Sequence, residues 1–540
     1  MRHTLLGVAQ RIAIIAVCLA FGPASTADAA DAVSEERLKE TMKRATTAMV
    51  EKVAHRGGYV WAYLPDMSRR WGELEARASM IWIQPPGTPS MGHLFLDAYH
   101  ATGDEYYYQA AEQVAGALIA GQHPSGGWNY VVDFVGEESL KQWYATVGRN
   151  AWRLEEFQHY YGNATFDDGG TAEAAKFFLR LYVEKKDARY RPPLDRVIGF
   201  MLESQHPIGA WPQRFPKTDE FSHSGRPDYT GYLTFNDDVA AENIEFLTLC
   251  YQALGDERLR EPINRAMNAY LVTQQPAPQA GWALQFTPDL KPAGARTYEP
   301  AALATHTTAG AIEQLIEFYR LTGDEKYLAR VPEALDWLDS VRLPLTQRLG
   351  GATHPTFVEI GTGRVLYLHR TGSNVFNGHY YSDYDPRETV GHYSSTRHID
   401  VDALRALYQK TRTLPRDELT RGSPLVHAEA RGADKLPRYF SRVPRAFADT
   451  EDEAIETRAR RVIAALNADG FWLSPLRMNS HPYTADGTAE KAAGNFSKAQ
   501  VGDATDTSPF FTREKIPAIS TATYIRNMNV LIAALRMEKR

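Results

Sequence analysis

The chain has 540 residues, 44% of them apolar and 11% aromatic, with a formal net charge of −6. That length exceeds what one ordinary core needs and is comfortable for two large units. The near balance of charge, with no Lys/Arg block, excludes a nucleic-acid partner held by bulk electrostatics.

Residues 1–29 read as a signal peptide. Arg2 and Arg11 precede an apolar run at 12–21, and Ala27-Asp28-Ala29 fits a small-x-small cleavage site. The run is too short to span a bilayer. The mature protein is therefore expected to be periplasmic or secreted, a monomer, with no membrane insertion. Cleavage leaves Cys250 as the one cysteine. It lies on an apolar helical stripe and reads as a buried structural thiol.

From 30 to 342 an internal repeat organises the chain. GQHPSGGW (121–128) returns as SQHPIGAW (204–211) and, more weakly, as TQQPAPQAGW (273–282). ATGDEYY (101–107) returns as ALGDERL (253–259) and LTGDEKY (321–327), with a degraded EKKDARY (184–190) between them. Each unit runs helix, Gly-Asp turn, helix, Gln-x-Pro…Gly-Trp loop. The first helices carry apolar stripes at helical spacing, such as Ala174, Phe178, Leu181 and Tyr182, then Ile244, Leu247, Tyr251 and Leu254. The glycine fits a helix end and the Asp the next N-cap. Long connections favour a mainly α fold, an α/α toroid, over an open solenoid. In such a barrel the sites lie where loops meet inner-helix N-termini.

Residues 343–410 change character. TFVEIGTGRVLYLHR (356–370) alternates and is rich in β-branched and aromatic residues, predicting short strands around Gly361-Thr362-Gly363. Residues 411–540 read as a C-terminal extension, helical at 451–468 and 521–535. DGFWL (469–473) echoes the Gly-Trp loops faintly.

Two stretches carry chemistry. NATFDDGGT (163–171) and LTFNDDVA (233–240) align without a gap from Thr165/Thr234 to Tyr182/Tyr251, pairing Asp168 with Asp237 and Glu173 with Glu242. The same register puts Thr305 and His306 at the acid positions of the third copy and lands on QPPGTP (84–89) in the first. The helices recur in every copy, but the acids occur only in the two central ones. This favours a shared pocket of Asp167, Asp168, Asp237 and Asp238, with helix capping as the bland alternative. Such acids serve either as the acid and base of a glycosidase or as oxygen ligands for a hard cation such as calcium.

With GAWPQRFP (209–216), YLTFNDDVAAEN (232–243), GARTYEP (294–300) and VEIGTGRVLYLHRTG (358–372) in this order, the chain resembles the pectate lyases of polysaccharide lyase family 10. The resemblance implies calcium-dependent β-elimination on polygalacturonate, an acidic polysaccharide or oligosaccharide. It places the catalytic base at Arg370, calcium ligands at Asp167 and Asp237, and a substrate-carboxylate arginine at Arg296. The first-motif acid that also meets substrate is Asp168 by the internal repeat and Asp167 by the family pattern. The chain departs from the family at Thr371, where the family has Asp. Trp211 and Trp128 are offered as sugar-stacking faces, against core packing of the repeat loop. His369, His379, His392 and His398 fit no zinc-ligand spacing. The competing readings are a glycoside hydrolase using the paired aspartates and a non-catalytic polysaccharide-binding toroid.

Overall fold

The computed structural model describes residues 33–148, 155–218, 227–371, 379–387, 389, 393–443, 453–476 and 516–538. The expected signal peptide lies outside them. The helices are α1 (Glu35–Ala48), α2 (Thr88–Thr102), α3 (Glu105–Gly121), α4 (Glu137–Trp143), α5 (Gly170–Lys185), α6 (Arg191–Ser204), α7 (Val239–Leu254), α8 (Arg260–Thr273), α9 (Thr305–Thr322), α10 (Val331–Ser340), α11 (Val401–Arg412), α12 (Arg416–Leu419), α13 (Ile455–Ala465) and α14 (Thr521–Glu538).

The Gly-Asp turns do what their chemistry requires. Gly103, Gly255 and Gly323 close α2, α7 and α9 in the left-handed conformation, which glycine adopts without a Cβ clash. Asp104, Asp187, Asp256 and Asp324 then accept the N–H two residues on and start the next helix. The result is a series of antiparallel hairpins, α2/α3, α5/α6, α7/α8 and α9/α10.

The Gln-x-Pro…Gly-Trp loops join each hairpin to the next. Gln122 Nε2 donates to the Gly126 and Pro193 carbonyls at 2.7 and 3.0 Å. Gln205 repeats this on Gly209 and Pro262, and Gln274 on Ala280 and Arg330. Gly126 and Gly209 lie so close to the backbone of the following outer helix that a Cβ would fall 2.3 Å from the Arg196 oxygen and 2.1 Å from the Arg265 oxygen. The tryptophans are buried, each indole donating to a carbonyl of its preceding helix: Trp128 to Leu118, Trp211 to Met201, Trp282 to Tyr270.

These hairpins build the α/α toroid. The inner row runs α14, α2, α5, α7, with α9 and α11 continuing beyond α8. Helix α5 is buried on every side from Gly170 to Leu181, as a barrel-lining helix must be. The ring is not confined to 30–342. Trp472 donates to the Val462 carbonyl at 2.8 Å, the same device as in the other Gly-Trp loops, and α13 and α14 form a further pair against α1 and α2. Pro517–Ser520 lies between Ala62–Tyr63 and Leu473–Pro475 in one sheet. The residues set apart as an extension therefore close the ring. They escape notice in the sequence because a long polar insert divides the pair.

The expected strands are present. Phe357–Val358 pairs with Val365–Thr371 around the Gly361-Gly363 turn, within a four-stranded sheet that includes Leu303–Ala304 and His379–Asp383. Leu284, Tyr298, Phe357, Leu366 and Leu368 give this sheet its own small core. The sheet thereby stands directly over the start of α9.

Candidate active site

Helices α5 and α7 begin with the same irregular turn. Asp168 has φ 50° and ψ 29°, and Asp237 has φ 50° and ψ 34°, confirming the repeat register residue for residue. Asp238 follows with φ 57° where the first copy has Gly169. Non-glycine residues in this region cost of order 1 kcal/mol or more each, and such strain collects at functional sites. Neither turn makes a side-chain cap bond to the helix it precedes. The capping alternative therefore fails.

The acids converge around one guanidinium. Arg296 is 2% exposed. It donates to Asp167 at 2.6 Å, to Glu299 at 2.9 Å and to Glu156 at 3.2 Å, and stands 3.6 Å from Asp237. Asp167 is wholly buried, its Oδ2 also accepting the Tyr130 hydroxyl at 2.5 Å, while its Oδ1 has no hydrogen-bond partner. Asp168 keeps access to solvent and accepts Gln84 Nε2 at 2.7 Å; the same amide reaches Glu73 at 3.0 Å. Gln84 occupies in the first repeat the place that Asp167 has in the second. Asn236 joins Asp237 at 2.7 Å to the Tyr393 hydroxyl at 3.0 Å, and Tyr393 donates to Glu299 at 2.7 Å.

Arg296 alone does not neutralise this many acids. Desolvation by the protein packed around it, then the charges of Asp167 and Glu73, push the Asp168 carboxyl well above its usual range. Burial, then Asp167 and Asp168, do the same to Asp237. Burial also acts on Asp167, but Arg296 and Tyr130 outweigh it and hold that carboxyl low. Burial carries Glu73 and Glu155 up to about 8. The cluster thus holds protons that another cation would displace.

Beside Asp237 a cavity of about 550 Å³ runs along α7 and α9, lined by Asn236, Asp237, Asp238, His306 and Arg442 among others. Burial, then the charge of Arg397, drives His306 down to about 3, so its imidazole is neutral.

The sequence-derived site residues meet different fates. Asp167, Asp168, Asp237 and Arg296 come together. Arg296 is, however, enclosed by carboxylates, and a guanidinium so buried does not reach a substrate carboxylate; it is the counter-ion of the acids. Trp211 is 0% exposed and its indole N–H is spent on Met201, so it offers no sugar-stacking face. Arg370 lies on the strand Val365–Thr371, opposite Tyr380, with its side chain outside the described residues.

Sequence reasoning missed Arg397. It lies beside Tyr393, 5.6 Å from that ring's centre, and feels the charge of Asp237. Its Nε is buried without a partner, and among the described residues it has no carboxylate partner. Burial lowers its pKa. No spacing pointed to it, because the antiparallel pairing of Arg397 with His354 is what brings it beside the start of α9.

Residues 137–348 match the family model described as pectic acid lyase. No curated protein matches the chain by sequence. Among solved structures, a family 10 polysaccharide lyase from Cellvibrio cellulosa in complex with trigalaturonic acid is similar at 17% identity, covering 59% of this chain and 98% of that one with a TM-score of 0.40. A GH76A alpha-1,6-mannanase from Salegentibacter sp. HEL1_6 is similar at 10% identity over 93% of this chain and 99% of that one, with a TM-score of 0.36. A cellobiose 2-epimerase from Spirochaeta thermophila gives 12% identity over 94% and 99%, with a TM-score of 0.40. The family match spans Asp167, Asp168, Asp237 and Arg296. The chain is therefore an enzyme that carries a pectic acid lyase segment at residues 137–348.

Proposed function

We propose that the protein is an exported, calcium-dependent lyase that cleaves a uronate polymer, polygalacturonate first, by β-elimination. The observation that carries this reading is the juxtaposition, around Asp237, of a second strained, accessible acid, Asp168, and of Arg397, a guanidinium with no carboxylate partner among the described residues, next to the pectic acid lyase segment.

The donor set suits calcium. Its atoms are carboxylate oxygens, acids outnumber cations, and the Asp167 Oδ1 is buried without a partner. Among the described residues no group of three His, Cys, Asp or Glu forms a ready metal cage. Asp168 and Asp237 would hold the ion, with Asp167 behind them, leaving positions for water and substrate oxygens. When bound, calcium neutralises the uronate carboxylate and so eases loss of the neighbouring C5 proton.

The remaining steps belong to the chain. Arg397 would meet the substrate beside Asp237 and Tyr393, and its depressed pKa favours proton abstraction at C5. Arg370 is the base that the family resemblance gives, and the two are separated by single substitutions. Arg296 keeps the acids together, and Tyr393 and Asn236 orient Asp237.

The test is incubation with polygalacturonate, with calcium and then with a chelator, following ultraviolet absorbance of unsaturated uronide ends. The lyase gives calcium-dependent absorbance, and replacing the base lowers kcat by about 10²–10⁴-fold. New reducing ends without unsaturation would identify a hydrolase instead, and binding without either product a scaffold.

A further inference from the structure

A segment distant in sequence enters the ring. Residues 438–443 touch four inner helices. Asp97 of α2 accepts the Phe440 and Ser441 N–H groups at 3.0 and 2.8 Å, and the Ser441 hydroxyl at 2.5 Å. His93 stacks on Phe440 with ring centres 5.1 Å apart. Arg180 of α5 donates to the Arg438 carbonyl at 2.7 Å, and Ser441 Oγ lies 3.1 Å from the Asn529 side-chain amide of α14. The segment thus forms an irregular strap across α2, α5, α7 and α14.

The strap ends in Arg442, where α5 and α7 run side by side. Arg442 Nη2 donates to both carboxylate oxygens of Glu245 of α7 at 2.9 and 3.1 Å, and its Nη1 lies 3.9 Å from both Glu173 of α5 and Glu242 of α7. Lys176 bridges the same two helices, 3.2 Å from Glu173 and 2.6 Å from Glu245. Without Arg442, Lys176 alone would face three carboxylates. Glu173 Oε2 and Glu242 Oε2 are already buried without a hydrogen-bond partner, so the balance is tight. Glu173 and Glu242 stand one turn inside the helices that open with Asp168 and Asp237.

We propose that Arg442 is a positioning residue of this active site: from the C-terminal strap it ties the first turns of α5 and α7 together and so sets the separation of Asp168 and Asp237. The effect on cation binding rests on the lyase reading of that site; the tie itself does not.

Two readouts on the full chain test it. In Arg442→Ala, amide hydrogen exchange should quicken in the first turns of α5 and α7 and stay unchanged in α9 and α10. Terbium, used as a calcium probe, should half-saturate at about tenfold higher concentration, as for loss of a residue that orients the ligands, with partial recovery in Arg442→Lys, which keeps the charge without the second nitrogen that faces Glu173 and Glu242. Unchanged exchange at both helix starts, or exchange raised evenly around the ring, would overturn the tie. A normal terbium titration in a variant whose helix starts are loosened would overturn the positioning role. Failure of the wild-type chain to bind terbium at all would sink the calcium reading, and exchange alone would then decide the tie.

Discussion

At the scale of single residues, the site trades stability for charge. Asp168 and Asp237 combine left-handed backbone with carboxyls that oppose one another. Asp168→Gly should therefore raise stability by about 1 kcal/mol or more, since glycine relieves the φ strain, and should abolish calcium-dependent turnover. Denaturant unfolding alongside the absorbance assay checks both. The buried glutamates give a pH signature. Glu155 and Glu73 rise from 4.5 to about 8 on folding, chiefly by desolvation. The folded state thus binds protons that the unfolded chain has lost. Their contribution is complete below about 4.5 and is lost as pH climbs through about 8. The urea midpoint of the metal-free protein should fall over that window, and Glu155→Gln should flatten the decline.

At the scale of elements, the Gly-Trp loop is a fastening and not a sugar platform. Trp211→Phe removes one buried indole hydrogen bond and should cost about 1 kcal/mol, with KM for polygalacturonate unchanged. A raised KM at unchanged stability would restore Trp211 as a substrate contact. The starts of α5 and α7 were legible as a repeated turn in NATFDDGGT and LTFNDDVA. The choice between Asp167 and Asp168 was not. Their order along the chain is fixed, but which one turns outward depends on Arg296 and Tyr130, which arrive from loops far away in sequence and claim Asp167.

At the scale of the molecule, the ring is closed by its two ends. Thr46 and Tyr524 hydroxyls meet at 2.6 Å, and α14 packs on both α1 and α2. Interrupting that closure should affect the whole toroid. Thr46→Val with Tyr524→Phe, which removes both hydroxyls and keeps the shape, should be nearly neutral, whereas Tyr524→Ala should cost about 3–5 kcal/mol. Cation binding belongs to this scale too, because an ion that binds only the folded ring stabilises all of it. Calcium at about 100 times its Kd should add about 2.7 kcal/mol, visible as a rise in Tm that a chelator reverses and that Asp237→Ala eliminates.

The sequence by itself determined the toroid, since helical stripes, Gly-Asp turns and Gln-x-Pro…Gly-Trp loops are local patterns that repeat. It also determined where the acids lie, because only two of the copies carry them. Tertiary structure alone decided what surrounds those acids. Arg296 became their counter-ion, Trp211 vanished into the core, and Arg397 and Arg442 entered from segments that carry no motif. The physical reason is range. Helix propensity and turn chemistry act over a few residues and can be read from them, whereas burial and ion pairing depend on which distant segments the ring brings together.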